Sequence, residues 1–303
     1  MNNYKSGFVT LLGRPNVGKS TLINKLVGKK ITITSPIAQT TRNKLKGILT
    51  NDDNQIIFID TPGVHKPHHL LGEKLVKNAK SAINGVDLIL LIFDSCQKPG
   101  KGDAYIRNLL INNKSKFIVV LNKWDLVEKK DRYERINQYK DLFNDNLISL
   151  QEVSALSGYG CNELIKEIRT ALPTGKPLYP KDMIVDQPIN VILSELIREQ
   201  VLLNTREEIP HSVAVKIEKI EYIKKKGKEI TAILATVIVE RKSQKGILIG
   251  KGGSMLKAIG QSSRMNIKNL FEGTIYLELF VKVIPNWRKK ESRLIEFGYE
   301  DDF

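Results

Sequence analysis

The 303-residue sequence predicts an α/β protein in which a doubly wound parallel-sheet domain is followed by a smaller α/β domain. Three observations support this prediction. Strand-like apolar runs alternate with helix-period segments through the first half, a proline-rich stretch interrupts the pattern, and a different order of elements follows it. A chain of this length can bury two separate hydrophobic cores.

Five apolar runs in the first half are predicted as strands, and they are nearly continuous in Ile, Leu and Val. Such runs are typical of strands covered by helices on both faces. They are GFVTLLG (7–13), QIIFID (55–60), VDLILLIFD (86–94), KFIVVLN (116–122) and LISLQEVSA (147–155). The intervening segments, such as KSTLINKLVG and CNELIKEIRTAL, place apolar residues at helical spacing. This alternation predicts a doubly wound domain over residues 1–172.

A linker is predicted over residues 173–187, because four prolines and a glycine lie between residues 171 and 188. The second domain then covers residues 188–303. It begins with a long amphipathic helix, INVILSELIREQVLLNT, and continues with two strands joined by a lysine-rich turn. A glycine loop with a helix on each side and a third strand, TIYLELFVKVI, complete it.

The net charge of +15 is unevenly distributed. Residues 209–293 contain 18 basic and 7 acidic residues. Such an excess indicates a polyanionic partner, with RNA, DNA or an anionic membrane surface as candidates. The simpler alternative is that these charges only keep the protein in solution.

Targeting signals are not apparent in the sequence. The longest apolar run, LILLIF (88–93), is too short to span a bilayer, and MNNYKSGFVTLLG at the N-terminus lacks the features of a signal peptide. Cys96 and Cys161 form no metal or redox motif and are compatible with a reducing compartment. We therefore expect a cytoplasmic protein.

The segment GRPNVGKS (13–20) fits the pattern G-x-x-x-x-G-K-[ST] between a predicted strand and a predicted helix. In such a loop, backbone N–H groups and the helix N-terminus hold phosphate. Lys19 is expected to reach the β and γ phosphates, and the Ser20 hydroxyl is expected to bind Mg²⁺. The predicted phosphate-binding residues are Gly13, Arg14, Pro15, Asn16, Val17, Gly18, Lys19 and Ser20.

Three further signatures follow this loop in order. Asp60-Thr61-Pro62-Gly63 ends a strand, where Asp60 can hold Mg²⁺ through water and the Gly63 N–H can contact the γ-phosphate. Asn122-Lys123-Trp124-Asp125 ends another, and Ser154-Ala155-Leu156 follows the fifth, where it would support the base. The Asp125 carboxylate can accept from the ring N–H and amino group of guanine, whereas adenine presents an acceptor at the matching ring nitrogen. The predicted nucleotide is GTP.

The region between the loop and the second signature offers candidates for the switch that senses Mg²⁺. We favour Thr41 over Thr40 as the ligand. Val64 stands where Ras-type GTPases place a glutamine that orients the attacking water, so intrinsic hydrolysis should be slow unless another group positions that water. His65, His68 and His69 have loose spacing with no Cys or carboxylate nearby, which favours a switch segment over a metal site.

A second glycine loop, Ile249-Gly250-Lys251-Gly252-Gly253, contains G-x-x-G but lacks the GK[ST] ending. In RNA-binding KH modules this loop clamps the backbone of about four nucleotides. Glycine allows close approach of the RNA, and Lys251 supplies charge. Four more basic residues lie nearby: Lys245, Lys257, Arg264 and Lys268. The alternative is a simple turn between two helices.

Taken together, GRPNVGKSTLINKLVG, AQTTR, DTPGVHKP, NKWD, SAL and GILIGKGGSMLKAIG resemble the Era GTPases over nearly the whole chain. The resemblance implies a Ras-like domain joined to a KH domain, GTP and GDP that exchange readily, and RNA binding near the 3′ end of small-subunit ribosomal RNA. It also implies a role in maturing the small ribosomal subunit and some peripheral membrane association. Related loops use the asparagine, here Asn16, to hold a K⁺ ion, and an apolar residue at Val64 is usual in the family.

The motifs and the resemblance together predict Lys19, Thr41, Gly63 and Asn16 as catalytic residues, with Ser20, Thr41 and Asp60 at the metal. For RNA, the second glycine loop and the lysines near it predict Lys245, Ile249, Gly250, Lys251, Gly252, Gly253 and Lys257. We expect a monomer. Two other functions are compatible with the sequence: an RNA chaperone whose GTP site is only structural, and a GTPase that applies its basic face to anionic lipid.

Overall fold

The computed structural model describes residues 4–34, 45–61, 85–112, 116–143, 149–225, 227–271 and 273–299. These residues form two compact units that divide between Asp186 and Gln187. Both units mix helices and strands, which confirms the predicted fold class.

The first unit contains a seven-stranded sheet in the order β6-β5-β4-β1-β3-β2-β7. Strands β1, β3, β4, β5 and β6 are parallel, whereas β2 is antiparallel to β3 and β7 is antiparallel to β2. The strands are β1 (Lys5–Leu12), β2 (Leu45–Thr50), β3 (Asn54–Asp60), β4 (Leu88–Asp94), β5 (Phe117–Asn122), β6 (Leu150–Glu152) and β7 (Val185–Asp186). The described helices are α1 (Lys19–Val27), α2 (Lys101–Asn112), α3 (Arg132–Phe143) and α4 (Cys161–Ala171).

The apolar strands are buried on both faces, as the continuous Ile, Leu and Val runs predict. On one face Leu90 and Ile92 of β4 join a core that includes side chains of α1 and α4. On the other face Leu91 and Phe93 join a core that includes side chains of α2 and α3. All seven residues of β4 are buried, so alternate side chains of one strand supply both cores.

The predicted linker, 173–187, lies along the first unit over most of its length. The hydroxyl of Ser6 donates to the backbone carbonyl of Lys176 at 2.8 Å, and the side-chain oxygen of Gln55 accepts from the backbone of Leu178 at 2.6 Å. Strand β7 then pairs with β2, where Lys46 and Asp186 form an ion pair at 3.2 Å. The domain boundaries at residues 172 and 187 stay a prediction.

The second unit contains a three-stranded sheet in the order β10-β9-β8, in which β9 is antiparallel to β8 and parallel to β10. Its strands are β8 (Ala214–Lys225), β9 (Lys228–Val239) and β10 (Thr274–Val283). Its helices are α5 (Ile189–Asn204), α6 (Ile209–Ser212), α7 (Lys242–Ile249), α8 (Ser254–Lys268) and α9 (Glu291–Glu296). Helices α5, α7 and α8 pack against the sheet.

The segment from Trp287 to Tyr299 packs its aromatic side chains into the core of the second unit. Trp287 is fully buried, stacks on Tyr299 and meets the ring of Phe297 edge-on. Its indole N–H donates to the backbone carbonyl of Ser212 at 2.9 Å, so its polar group is satisfied. Within the described part of the chain, none of the helices has the length and apolar character needed to span a bilayer.

Candidate functional site

The first glycine loop connects β1 to α1 and has no room for a side chain at Gly18. This residue has φ 93°, and a Cβ there would lie 2.3 Å from the side-chain nitrogen of Asn122. Asn16 also adopts a left-handed conformation, with φ 64°, which asparagine tolerates better than most residues. The loop thus has the shape that turns backbone N–H groups toward a bound phosphate.

Lys19 begins α1, and its side chain is buried beneath the loop. Its ammonium donates to the backbone carbonyls of Gly13 and Arg14, at 3.3 and 3.1 Å. Burial lowers the pKa of Lys19 to about 8, and the nearby Asp60 carboxylate opposes this effect only in part. A phosphate at the loop would favour the charged form of Lys19.

Ser20 and Asp60 bring two hard oxygen groups together. The Ser20 hydroxyl donates to the Asp60 carboxylate at 2.8 Å, and Asp60 is fully buried at the end of β3. The next residue, Thr61, donates to the backbone carbonyl of Leu11 at 2.5 Å and so fixes the strand end against β1. Oxygen ligands of this kind fit Mg²⁺, which commonly keeps waters and substrate phosphates as its other ligands.

Asn122 joins three of the predicted motifs. Its side-chain nitrogen donates to the backbone carbonyl of Val17 in the glycine loop at 2.8 Å. Its side-chain oxygen accepts from the backbone N–H of Ala155 at 3.0 Å. The residue is buried, so both bonds are protected from water. One amide therefore holds the loop after β1 and the loop after β6 against the end of β5.

The residues after Asn122 point in different directions. Lys123 has φ 65° and pairs with the Asp94 carboxylate at 2.6 Å. Trp124 is buried in the core beside α3, and the guanidinium of Arg132 lies 5.6 Å from its ring centroid. Asp125 is exposed and lines a cavity. Trp124 therefore anchors the motif, while Asp125 is available to a ligand.

The cavity has a volume of about 230 Å³ and brings the base-recognition motifs next to the glycine loop. Leu126 and Leu156, which are 65% and 80% exposed, line the cavity and offer apolar surface to the faces of a ligand. Its lining residues are Gly18, Thr21, Asn122, Lys123, Asp125, Leu126, Ala155 and Leu156. Sequence reasoning missed Thr21 and Leu126. An apolar residue directly after NKWD was a signal for Leu126, whereas Thr21 carried none.

Other predicted residues contribute through their backbone or through packing. The Arg14 side chain points to the N-terminal end of α2, where its guanidinium pairs with the buried Asp103 at 2.8 Å. Val17 belongs to the core beneath the loop, and Pro15 is half-buried. Ser154 is fully buried, and its hydroxyl accepts from the backbone N–H of Ser157 at 3.1 Å. The predicted residues Thr40, Thr41, Pro62, Gly63, Val64, His65, His68 and His69 lie outside the described residues.

The second glycine loop connects α7 to α8 in the other unit. Gly250, Gly252 and Gly253 all have positive φ, at 71°, 60° and 80°. A Cβ at Gly252 would meet no atom within 4 Å, so this position faces open space. Lys251 is exposed beside it. The loop therefore presents bare backbone and one cation immediately before the N-terminus of α8, a suitable arrangement for phosphate.

The chain segment that contains this loop carries no acidic residue. Residues 242–268 include six basic residues and no Asp or Glu. Lys257, Arg264 and Lys268 are exposed on α8, and Lys245 is half-buried on α7. Apolar surface lies alongside, since Ile247 is 53% exposed and Ile249 is half-buried. Positive charge beside an apolar surface is what single-stranded nucleic acid requires.

These features define a P-loop GTPase whose chain continues into a KH-type RNA-binding fold. A family model described as 50S ribosome-binding GTPase matches residues 8–123, and one described as KH domain matches residues 208–288. GTPase Era of Crocosphaera subtropica is 54% identical over 297 residues, covering 98% of this chain and 93% of that protein. GTPase Era of Rippkaea orientalis is 52% identical over 298 residues, with the same coverage. The chain belongs to the Era family of GTPases, as its motifs predict.

Two solved structures resemble the whole chain. One is the crystal structure of Era in complex with MgGDPNP and nucleotides 1506–1542 of 16S ribosomal RNA, with a TM-score of 0.94 and 38% identity. It covers 98% of this chain, and the match spans 99% of that chain. The other is a variant of Aquifex aeolicus Era bound to GDP·AlF₄⁻, with a TM-score of 0.93, 38% identity and coverage of 97% and 99%.

Proposed function

We propose that this GTPase uses its nucleotide state to control the binding of small-subunit ribosomal RNA, and that it acts in rRNA processing and small-subunit assembly. The observation that carries the proposal is the presence of two built phosphate-binding loops in separate units of one chain. The first adjoins a cavity with an exposed Asp125, and the second lies in a segment without acids. The similar Era structure that contains a segment of 16S ribosomal RNA supports ribosomal RNA as the ligand of the second loop.

In the first unit, GTP or GDP would place guanine in the cavity and its phosphates on the glycine loop. Asp125 would accept from the two N–H groups of guanine, Leu126 and Leu156 would cover its faces, and the N-terminal end of α1 would hold the phosphates. Lys19 would exchange its two carbonyl partners for phosphate oxygens.

Ser20 and Asp60 would hold Mg²⁺, with Thr41 as the proposed switch ligand. Bound Mg²⁺ would neutralise charge on the β and γ phosphates. Because the Ser20 hydroxyl already contacts Asp60, a metal bound to that hydroxyl and, through water, to the carboxylate would replace the hydrogen bond and leave neither group buried without a partner.

For hydrolysis we propose Lys19, Thr41, Gly63 and Asn16 as the contributing residues. Val64 cannot orient water, so a K⁺ ion beside the exposed Asn16 would supply the missing positive charge near the phosphates. Turnover should then increase when K⁺ replaces Na⁺ at equal ionic strength. Asn16→Gly keeps the left-handed backbone accessible and should abolish that increase; equal rates in the two salts would contradict the role of K⁺.

In the second unit, the RNA backbone would lie against Ile249–Gly253, with Lys245 and Lys257 contacting flanking phosphates. We propose that the ligand is single-stranded RNA, because the loop places bare backbone next to half-buried and exposed isoleucines where unstacked bases could lie. We also retain as proposals a monomeric state, a cytoplasmic location with peripheral membrane contact, and an RNA-binding domain over residues 188–303.

The function is tested by measuring affinity for the 16S segment with the protein loaded with GDP or with a GTP analogue, and GTP turnover with and without that RNA. We expect RNA affinity to differ between the two nucleotide states, and because coupling is reciprocal in binding, RNA should change the relative affinities for GDP and the GTP analogue by the same factor. We also expect RNA to change GTP turnover. If RNA affinity is the same in both nucleotide states and RNA does not change GTP turnover, the protein is an RNA binder whose nucleotide is structural. If anionic vesicles compete fully with RNA, the lipid-binding alternative gains support.

A further inference from the structure

A second cavity lies in the RNA-binding unit, between the β8–β9 hairpin and the turn that follows α8. Its volume is about 300 Å³. Tyr222, which is 71% exposed, and the half-buried Phe271 supply two aromatic walls. Their ring centroids are 6.5 Å apart and the planes are tilted by 48°, so the rings enclose a concave apolar corner.

The cavity is on the same face of the sheet as the helices. Tyr222 lies opposite Thr231, which shares its side of β9 with the buried Ile233. Phe271 follows the C-terminal end of α8, and the glycine loop precedes its N-terminal end. Since α8 has 15 residues, the loop and the cavity are separated by roughly 22 Å at ~1.5 Å per residue.

The hairpin beside the cavity is strongly basic. Its sequence, KKKGKE (224–229), contains four lysines and one glutamate. Lys224 and Glu229 lie opposite each other in the hairpin, and both line the cavity. Glu229 therefore faces one lysine, and the sequence of the hairpin keeps a net positive charge.

We propose that this cavity is a second RNA subsite, which takes one unpaired nucleobase while Lys224 and Lys228 of the hairpin contact the adjoining phosphates. The inference rests on the proposed RNA binding by the glycine loop and extends it beyond the about four nucleotides that such a loop holds. Aromatic faces combined with positive charge are the general means of binding single strands without strict sequence preference. A concave corner formed by two tilted rings suits a flat base, whereas a group that inserts into lipid should protrude.

The test compares a short RNA that spans only the glycine loop with an RNA extended by unpaired nucleotides on both sides. Tyr222→Ala should weaken binding of the extended RNA by about 5-fold or more and leave the short RNA unaffected, since stacking contributes about that much per base. Tyr222→Trp should keep the affinity. Tyr276→Ala is the matched control, because Tyr276 is 55% exposed in the same unit but does not line the cavity.

A fluorescent base analogue placed at successive positions of the extended RNA gives a second measurement. One position should show quenching that disappears in Tyr222→Ala and returns in Tyr222→Trp. If the wild-type protein binds neither RNA, the proposed RNA-binding function itself fails. If the extended RNA binds no more tightly than the short RNA, or if Tyr222→Ala binds both RNAs like wild type, the proposal of a second subsite is wrong. If Tyr222→Ala loses binding to phosphatidylserine vesicles but binds both RNAs like wild type, the cavity belongs to a membrane-binding surface and the proposed RNA subsite is wrong.

Discussion

The side-chain nitrogen of Asn122 donates a 2.8 Å hydrogen bond to the backbone carbonyl of Val17, so residues 105 positions apart are joined at one point. The same amide accepts from the backbone of Ala155. These two bonds bring the base-recognition loops against the phosphate-binding loop. Protein contacts alone therefore connect the parts of the nucleotide site.

Asn122→Ala should reduce the free energy of unfolding by about 1–3 kcal/mol and weaken GDP binding, because it leaves two buried backbone groups without partners. Asn108→Ala is the matched control, since Asn108 is exposed on α2 and bonds through its side chain to Arg107. Chemical denaturation and GDP titration measure both effects. If GDP affinity is the same in the two variants, Asn122 does not organise the site.

The depressed pKa of Lys19 predicts a pH dependence of nucleotide binding. In the free protein this pKa is about 8 because the ammonium is buried, and bound phosphate should raise it by favouring the charged form. Below about pH 7 the lysine is already protonated, so its titration should no longer change the affinity. Above about pH 8 binding must take up a proton, so affinity should fall by up to about tenfold per pH unit.

Calorimetric GDP titrations in buffers with different ionisation enthalpies measure this proton uptake directly. Lys25→Met serves as the control, because Lys25 is exposed on α1 and the profile should not depend on it. If GDP affinity instead rises with pH above about 8, the proposed role of Lys19 is contradicted.

The exposed Asp125 predicts the choice of base. Asp125→Asn should weaken GTP binding and increase affinity for xanthosine triphosphate, because an amide can donate to the additional carbonyl of xanthine. Asp131→Asn removes an exposed carboxylate a few residues away and should change neither affinity. An unchanged preference for GTP in a competition assay would exclude Asp125 as the base-recognition residue.

Most of the fold could be predicted from the sequence, because strands buried on both faces leave a clear apolar pattern. All of β4 and the apolar core of β5 lie within the predicted runs. Strand β2 was not predicted, since LKGILT contains Lys46 and Gly47 and lies near the edge of the sheet, where polar side chains are tolerated. Strand β7 has only two residues, and its pairing with β2 depends on tertiary contacts.

The site was less predictable at the level of side chains. A motif identifies a loop but does not fix where each side chain points, and Trp124 and Arg14 both point away from the cavity. The direction depends on partners distant in sequence, the core beside α3 for Trp124 and Asp103 for Arg14. Likewise, the motif gives no indication that the Asn122 amide bridges to Val17 and Ala155.

The Arg14–Asp103 ion pair should contribute more to stability than an exposed pair of similar geometry. Asp103 is fully buried, so Arg14→Met would leave its carboxylate without the cation that compensates it and should cost more than about 1 kcal/mol. Arg169→Met is the control, because the Arg169–Asp53 pair at 2.5 Å is exposed and should contribute less than about 1 kcal/mol. Equal destabilisation by the two substitutions would show that the burial of Asp103 has no effect.

The two glycine loops are expected to hold different phosphates, the first those of the nucleotide and the second those of RNA. Replacing Lys251 and Gly252 together with aspartate tests this division of roles. The Gly252 position accepts a side chain, since its Cβ would face open space and aspartate tolerates a φ of 60°. The matched control replaces Gly28 and Lys29 with aspartate, because Gly28 also has positive φ and open space but lies in the first unit at the end of α1.

The decisive measurement is RNA affinity across a salt series, with GDP affinity determined on the same protein. For the Lys251→Asp, Gly252→Asp variant we predict weaker RNA binding and a log–log salt slope that is flatter by about 0.7 for each RNA phosphate that the variant no longer neutralises. GDP affinity should stay at the wild-type value, and the Gly28, Lys29 control should bind RNA normally. Undiminished RNA binding by the folded Lys251, Gly252 variant would contradict a role of the second loop as the RNA clamp.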